Sequence, residues 1–168
     1  MLKLADILRA SHVSRWNIVN VSRHQSVAEH TFNVCMIARR LCKELSLDDV
    51  LIIKAALEHD LDEVIFGDLP SPIKAELMSK GVNINALVAN EMRHLTQQQK
   101  IVIKVADLLD AVLFLQDHAM GTHAAGVLSE VEGRLERYMD NALSDGHLSV
   151  DWYDTIKRFI VNVSGEKL

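Results

Sequence analysis

Apolar residues recur three and four positions apart along most of the chain, which is the spacing of amphipathic helices. The clearest stripe is formed by Val34, Ile37, Ala38 and Leu41. The pattern predicts helices over about residues 2–12, from 26 onward, from 46 to 60, from 71 onward, and over 84–94, 96–119, 122–143 and 150–163, with an irregular stretch over 13–25. The fold class is therefore all-α, with about seven or eight helices around one core.

Several predicted helix starts carry capping signals. Ser26-Val27-Ala28-Glu29 and Thr96-Gln97-Gln98-Gln99 are capping-box sequences, in which the fourth residue reaches back to the backbone of the first. Ser46 is the candidate cap of the third helix, with Asp48-Asp49 favourable in its first turn, and Ser149 is the candidate cap of the last.

Composition narrows the class of protein. With 168 residues, of which 49% are apolar, the chain is most simply one domain over residues 1–168 with a substantial core. A net charge of −5 argues against broad binding to nucleic acid polymers, although a local basic cluster could still bind a small phosphorylated ligand. No apolar stretch is long enough for a membrane span, and residues 1–9 form an amphipathic pattern rather than a secretory signal. We therefore expect a cytoplasmic protein.

The two cysteines do not predict a disulfide with each other. Cys35 and Cys42 lie on one predicted helix, about two turns or roughly 10 Å apart along its axis, which is too far for a bridge. We expect both to be reduced core residues.

The most informative pair is His59-Asp60, at the end of an apolar helical run. His30 lies upstream, and Asp107 lies inside the hydrophobic run of residues 101–109, where a carboxylate is costly to bury unless it is paired or bound to a cation. Two imidazoles and two carboxylates on separate helices suit one divalent metal with a position left open for water. The ordinary alternatives are a surface histidine at His30 and an Asp107 paired with Arg or Lys.

Glu63 follows His59 by four residues, so one helical face could present both side chains. A carboxylate beside a metal-bound water can act as a general base or hold that water in line. The alternative is a solvated acid, and solvent is where we place the neighbouring Asp62.

Arg15-Trp16 lies in the irregular stretch before the second helix. One interpretation is that Trp16 fixes the loop to the core, and the other is a phosphate-binding guanidinium beside a flat wall for a sugar or base. For Lys104 and Lys74 the two interpretations are an ordinary surface lysine and a phosphate-binding side chain. His94, His118 and His123 have no partner at ligand spacing, so we assign no role to them or to the Asp117-His118 pair.

Together these residues resemble the HD-domain metal-dependent phosphohydrolases. The resemblance is closer to the bacterial 5′-deoxynucleotidases and covers roughly residues 4–120. It is carried by Arg15-Trp16, Val27-Ala28-Glu29-His30, the block from Glu58 to Val64, the segment from Gly67 to Lys74, and Lys104-Val105-Ala106-Asp107. The compact length and Asn17-Ile18-Val19 look more like the small phage dATP triphosphohydrolases. No motif is recognised in the C-terminal third.

The resemblance implies an HD-domain fold, a homo-oligomer and a set of residue roles. His30, His59, Asp60 and Asp107 would be metal ligands, and Glu63 would activate water. Arg15 would bind phosphate and act in catalysis, with Lys74 and Lys104 at the other phosphates, Trp16 and Asp68 near the deoxyribose, Ile18 near the base, and Ser71 also among the substrate contacts.

Three functions remain open from the sequence. The leading one is hydrolysis of dATP to deoxyadenosine and triphosphate, in the host cytoplasm if the chain is encoded by a phage. The second is a 5′-deoxynucleotidase acting on deoxynucleoside 5′-monophosphates, and the third is a non-catalytic HD module that binds a nucleotide. A plain helical scaffold would not need Asp107 in an apolar run. Mixed imidazole and carboxylate ligation suits Zn²⁺, Mn²⁺, Co²⁺ or Fe²⁺.

Overall fold

The computed structural model describes residues 2–82 and 94–165, apart from the Ser71 side chain. Its α-helices are α1 Leu4–Ile7, α2 Val27–Glu44, α3 Val50–Glu58, α4 Glu63–Phe66, α5 Ser71–Ser79, α6 Gln97–His118, α7 Gly121–Ser144 and α8 Val150–Ser164, with a 3₁₀ segment at Leu8–His12. The described residues contain no strand, and the predicted all-α class is confirmed. The helix predicted over 84–94 falls almost wholly outside the described residues.

Three of the predicted caps form. The Ser26 hydroxyl accepts a hydrogen bond from the Glu29 N–H, and Ser149 caps α8 in the same way. Thr96 and Gln99 form the complete capping box at the start of α6. The prediction that the Glu29 side chain would bond back to the Ser26 backbone was wrong, because its carboxylate pairs with Arg23 at 2.7 Å instead.

The cap assigned to Ser46 was also wrong. Ser46 adopts a left-handed φ of 54°, and the Leu47 N–H donates to the Cys42 carbonyl at 2.9 Å. This is the geometry that ends α2, so the residue is used to stop one helix rather than to start the next. The start of α3 is satisfied instead by Asp48, whose carboxylate accepts the Val50 N–H at 3.0 Å.

The core forms around α6, which packs against α2, α3, α7 and α8. The largest fully buried side chains of α6 are Ile101, Ile103, Leu109 and Leu115. Cys35 and Cys42 are buried and free, as predicted. Burial raises the pKa of Cys42 to about 11, which leaves it a packing residue rather than a nucleophile. Among the described residues, no helix has the length and apolarity that a bilayer crossing requires.

Two short backbone pairings hold the irregular segment between the 3₁₀ segment and α2. Ser14 pairs with Ser26 at the start of α2, and Val21 pairs with Ala119 just beyond the end of α6. The segment therefore crosses the ends of the two central helices. Trp16 adopts a left-handed φ of 65° within it, a conformation that a bulky residue seldom takes without being held by its surroundings.

Candidate metal centre and substrate cavity

Four predicted metal ligands meet where the first turn of α2 faces the middle of α6. The Nε2 atom of His30 lies 3.3 Å from Nε2 of His59, 3.4 Å from Oδ2 of Asp60 and 3.3 Å from Oδ1 of Asp107. His30, His59 and Asp60 form a group whose donor atoms could hold a metal ion. Helix α2 supplies the first of these side chains, the end of α3 supplies the next two, and α6 supplies Asp107.

Both imidazoles present Nε2 to the centre because Nδ1 is already occupied. Nδ1 of His30 lies 2.6 Å from the carboxylate of Asp110, and Nδ1 of His59 lies 2.7 Å from the carbonyl of Ala56. Each of those oxygens is an acceptor, so the ring proton sits on Nδ1 and leaves the Nε2 lone pair facing its neighbours. Such hydrogen bonds fix the ring orientation of metal-binding histidines in general.

The carboxylates at the centre favour positive charge. Although burial and the charge of Arg15 lower it, hydrogen bonds to Asp107, Asp110 and Asp60 raise the pKa of His30 to about 10. Burial favours protonation of Asp60, but the neighbouring His59 and His30 hold its pKa well below the usual range. Without a metal, the ring of His30 is therefore protonated on both nitrogens at neutral pH, and a metal would take the place of the proton on Nε2.

The spacing of these atoms fits one transition metal. Ligand bonds of about 2.0–2.2 Å hold adjacent ligand atoms about 3–3.5 Å apart, and the distances from Nε2 of His30 to the other three side chains fall in that range. The donor set of two imidazoles and two carboxylates suits the same class of ion.

Glu63 lies at the start of α4 and is almost completely buried, with 1% of its surface exposed. One carboxylate oxygen, Oε1, accepts a hydrogen bond from Lys74 at 2.5 Å, and Oε2 has no partner among the described residues. Burial and the charge of Asp60 raise the pKa of Glu63 to about 8, even though Lys74 opposes the rise. A buried carboxyl with one free oxygen and a pKa near neutrality is suited to accept a proton.

The prediction that Asp62 lies in solvent was wrong. Asp62, which we expected in solvent, is 8% exposed, and burial raises its pKa. The reason is the tight turn between α3 and α4, which carries the backbone of residues 59–63 inward and takes both acids with it.

Arg15 and Trp16 belong to the irregular segment and lie beside the metal cluster. Nε and Nη1 of Arg15 are buried without a hydrogen-bond partner among the described residues, and a buried guanidinium of that kind is suited to an anion. Trp16 stacks parallel to Phe114 with the ring centroids 5.9 Å apart, and its backbone N–H donates to Asp68 at 3.3 Å. Trp16 therefore packs on the core and also lines the cavity described next, while its contact with a sugar or base stays a prediction.

A cavity of about 400 Å³ opens above the metal cluster. Every predicted catalytic or substrate residue that the structure describes lines it: Arg15, Trp16, Ile18, Glu63, Asp68, Lys74 and Lys104, together with Asp60 and Asp107. The side chain of Ser71 lies outside the described residues. Both lysines are paired, Lys74 with Glu63 and Lys104 with Asp107 at 2.6 Å. An ammonium group has three N–H donors, so either lysine can keep its carboxylate and still bind a phosphate.

One wall of the cavity was missed by the sequence analysis. Helix α7 contributes His123, Val127, Glu130, Val131 and Arg134, a helical stripe in the C-terminal third. His123 was given no role on sequence grounds because it has no partner at ligand spacing. The stripe spacing of three and four residues was visible, but it is also the spacing of ordinary packing residues.

Asp110 was missed as well, although it is more buried than Asp107. Its exposure is 3%, whereas the side chain of Asp107 retains 19%. The signal was a second acid in the same apolar helix, three residues after the first. The Asp117-His118 pair stays outside the metal cluster, since His118 contacts Ser22 and Arg23 instead.

Comparison with known proteins agrees with this geometry. The family model described as 5′-deoxynucleotidase YfbR-like matches residues 4–86. A dATP triphosphohydrolase from Cyanophage S-2L is 33% identical over 157 residues, which cover 89% of this chain and 87% of that protein. The chain belongs to the HD phosphohydrolase family.

Further relatives are named for two different activities. A dATP triphosphohydrolase from Salmonella phage PMBT28 is 33% identical, covering 80% of this chain and 77% of that protein. A 5′-deoxynucleotidase from Citrobacter koseri is 26% identical, covering 76% of this chain and 65% of that protein. The solved structure of the Cyanophage S-2L HD phosphohydrolase, bound to dA and one catalytic Zn²⁺ ion, superposes with a TM-score of 0.80 at 25% identity and covers 99% of both chains. The predicted family and the hydrolase class are confirmed.

Proposed function

We propose that this HD phosphohydrolase cleaves dATP to deoxyadenosine and triphosphate with the help of one divalent metal. The observation that carries the proposal is the cavity in which the metal cluster, the buried Glu63 and several cationic side chains meet. The 33% identical phage relatives named dATP triphosphohydrolases support the choice of substrate.

His30, His59, Asp60 and Asp107 would hold the metal, most simply zinc as in the similar solved structure. When bound, the ion supplies Lewis-acid chemistry at the phosphate and acidifies water. Glu63 receives the proton of the attacking water at Oε2, the oxygen that has no partner among the described residues. Lys74 holds the other oxygen and so fixes the carboxylate in place.

The cationic side chains favour a triphosphate over a monophosphate. Arg15, with two buried and unpartnered nitrogens among the described residues, is placed to neutralise the α-phosphate at the metal. Lys74 and Lys104 remain for the β- and γ-phosphates. Helices α6 and α7 are joined by two residues and pack together, so they run antiparallel, and Arg134 lies toward the Lys104 end of the cavity. We add Arg134 to the phosphate contacts.

The nucleoside would occupy the other part of the cavity. Trp16, held by Asp68, forms a flat wall that closes on the sugar, and Ile18 is 62% exposed and available to a base. The connection between α6 and α7 lies against this segment, because the Met120 N–H donates to the Asn20 carbonyl at 2.9 Å. His123 therefore lies at the base end, opposite Arg134.

Product analysis tests the proposal. Incubation of purified protein with dATP and Zn²⁺, Mn²⁺ or Co²⁺ should release deoxyadenosine and intact triphosphate. Inorganic phosphate or pyrophosphate as the first product, or faster turnover of dAMP than dATP, would assign the 5′-deoxynucleotidase activity that the Citrobacter koseri relative carries in its name. Nucleotide binding without turnover under all three metals would indicate a non-catalytic module.

Arg134→Gln provides a second test of the phosphate chain length. Loss of a tail contact should raise KM for dATP by about tenfold and leave KM for dAMP within twofold, since a monophosphate does not reach the tail subsite. An equal rise for both nucleotides would show that Arg134 acts on something other than the tail.

A further inference from the structure

Gln25 is a buried polar residue that the proposed mechanism leaves without a role. It ends the irregular segment just before α2, and its exposure is only 1%. Its Nε2 donates to Oδ2 of Asp110 at 2.8 Å, and its Oε1 accepts the indole N–H of Trp16 at 3.3 Å. Burying an amide destabilises the fold unless its N–H groups and its oxygen are hydrogen-bonded. The bonds to Asp110 and Trp16 therefore explain why Gln25 can be buried.

The orientation of the amide is fixed by its partners. A tryptophan indole can only donate, and an ionised aspartate can only accept, so the Gln25 oxygen must face Trp16 and its nitrogen must face Asp110. The same Oδ2 atom of Asp110 accepts Nδ1–H of His30 at 2.6 Å. A continuous hydrogen-bonded path therefore joins the indole of Trp16 to the ring of His30.

The two ends of this path belong to different parts of the site. His30 is buried at the centre of the metal cluster, and Trp16 lines the cavity above it. Trp16 has a left-handed backbone conformation, so its ring position depends on the contacts that hold it. Those contacts are the Phe114 stack, the Asp68 bond and the Gln25 bond.

We propose that Gln25 is a positioning residue that ties the sugar-facing wall at Trp16 to the metal ligand His30 through Asp110. The inference rests on the proposed function, in which Trp16 meets the deoxyribose and His30 binds the metal. It assigns one buried amide two effects at once, on metal affinity and on discrimination between deoxyribose and ribose.

Asn33 offers a matched control on the same carboxylate. Its side-chain amide donates to Oδ1 of Asp110 at 2.8 Å, whereas the hydrogen bond to the Trp16 indole is made by Gln25. Asn33→Ala therefore removes one support of Asp110 without touching the path to Trp16, whereas Gln25→Met removes both the donor and the acceptor at nearly constant volume.

Two measurements on the full-length enzyme test the coupling: zinc affinity by competition with a chelating dye, and the ratio of kcat/KM for dATP to that for ATP. Gln25→Met should weaken zinc binding by about tenfold, the lower end for lost supports of a metal ligand, and lower the ratio severalfold. Asn33→Ala should weaken zinc binding while keeping the ratio within twofold. A Gln25→Met enzyme with a wild-type ratio, or an Asn33→Ala enzyme with an equally reduced ratio, would overturn the proposal.

A second variant removes the same link at its Trp16 end, and its measurement requires no substrate. Trp16→Phe keeps an aromatic ring on Phe114 but deletes the indole N–H, so zinc binding should weaken severalfold although Trp16 is not a metal ligand. Unchanged zinc affinity in Trp16→Phe contradicts the coupling. A wild-type enzyme that binds zinc but releases no triphosphate from dATP would instead contradict the proposed function and leave the zinc comparison intact.

Discussion

Replacing Glu63 by Gln should make the metal-free protein more stable and the enzyme nearly inactive. The side chain is 1% exposed, and burial together with Asp60 raises its pKa from 4.5 to about 8. The folded protein must therefore keep a proton on Glu63 at pH 7, whereas the unfolded chain releases it. A glutamine of the same shape needs no such proton and can still accept the Lys74 hydrogen bond.

The size of the gain follows from the pH dependence. A carboxyl whose pKa is higher in the folded than in the unfolded protein does not lower the free energy of unfolding at a pH below the unfolded pKa. Between the unfolded and the folded pKa, it lowers that free energy by about 1.4 kcal/mol for each pH unit. At pH 7 the upper bound is therefore about 3 kcal/mol. A buried glutamine amide carries a desolvation cost of its own, so we expect a net gain of about 1–3 kcal/mol. For a chain of this length each kcal/mol corresponds to about 2–4 °C in Tm.

Thermal unfolding of the metal-free protein at pH 5 and pH 7.5 measures this gain. The advantage of Glu63→Gln should be small at pH 5 and larger at pH 7.5, while kcat with metal falls by about 10²-fold or more at unchanged zinc affinity. Asp62→Asn is the matched control, because Asp62 is also buried with a raised pKa but does not line the cavity. That variant should keep turnover. A Glu63→Gln protein that is less stable than wild type at pH 7.5, or near-normal turnover, would refute the reasoning.

Other expected outcomes concern the same site and the surface. Trp16→Ala, in a folded variant, should narrow the preference for dATP over ATP, and an unchanged ratio counts against a sugar-facing indole. Lys74→Met should move the rising limb of the kcat/KM profile to higher pH, because Lys74 lowers the pKa of Glu63; a shift to lower pH would exclude Glu63 as the base. Chelation should abolish turnover, with recovery on adding Zn²⁺, Mn²⁺ or Co²⁺, and turnover that survives chelation would exclude the metal. Phe32 and Met36 are exposed one turn apart on α2, which agrees with the homo-oligomer that the family resemblance implies, and light scattering should show more than one copy per particle.

Much of the local structure could be predicted from the sequence because its causes are local. The starts of α2, α6 and α8 follow from Ser26, Thr96 and Ser149, whose hydroxyls satisfy nearby backbone N–H groups. The prediction that Ser46 caps α3 was wrong because a serine can also take the left-handed position at the end of a helix, and α2 ends there. Deciding between these two uses requires knowing how the following residues fold back.

The cluster of candidate metal ligands was predictable for a different reason. His30, His59, Asp60 and Asp107 are recognisable by residue type and family spacing, although they lie far apart in the chain. Asp110 and Gln25 were not predictable in this way, since each is defined by its partner across the core rather than by its neighbours in sequence. The α7 wall was missed because its role depends on how two long helices pack side by side.

Several acids of the site lie where burial alone would disfavour their charge. Binding of a metal ion explains why they are there. Asp60, Asp107 and Asp110 surround His30, and Glu63 lies beside Lys74. In the metal-free protein His30 and Glu63 hold protons at neutral pH, because the pKa of each is raised. Metal binding should therefore release protons and raise stability together, because the energy lost in burying the carboxylates is recovered by the ion that they bind.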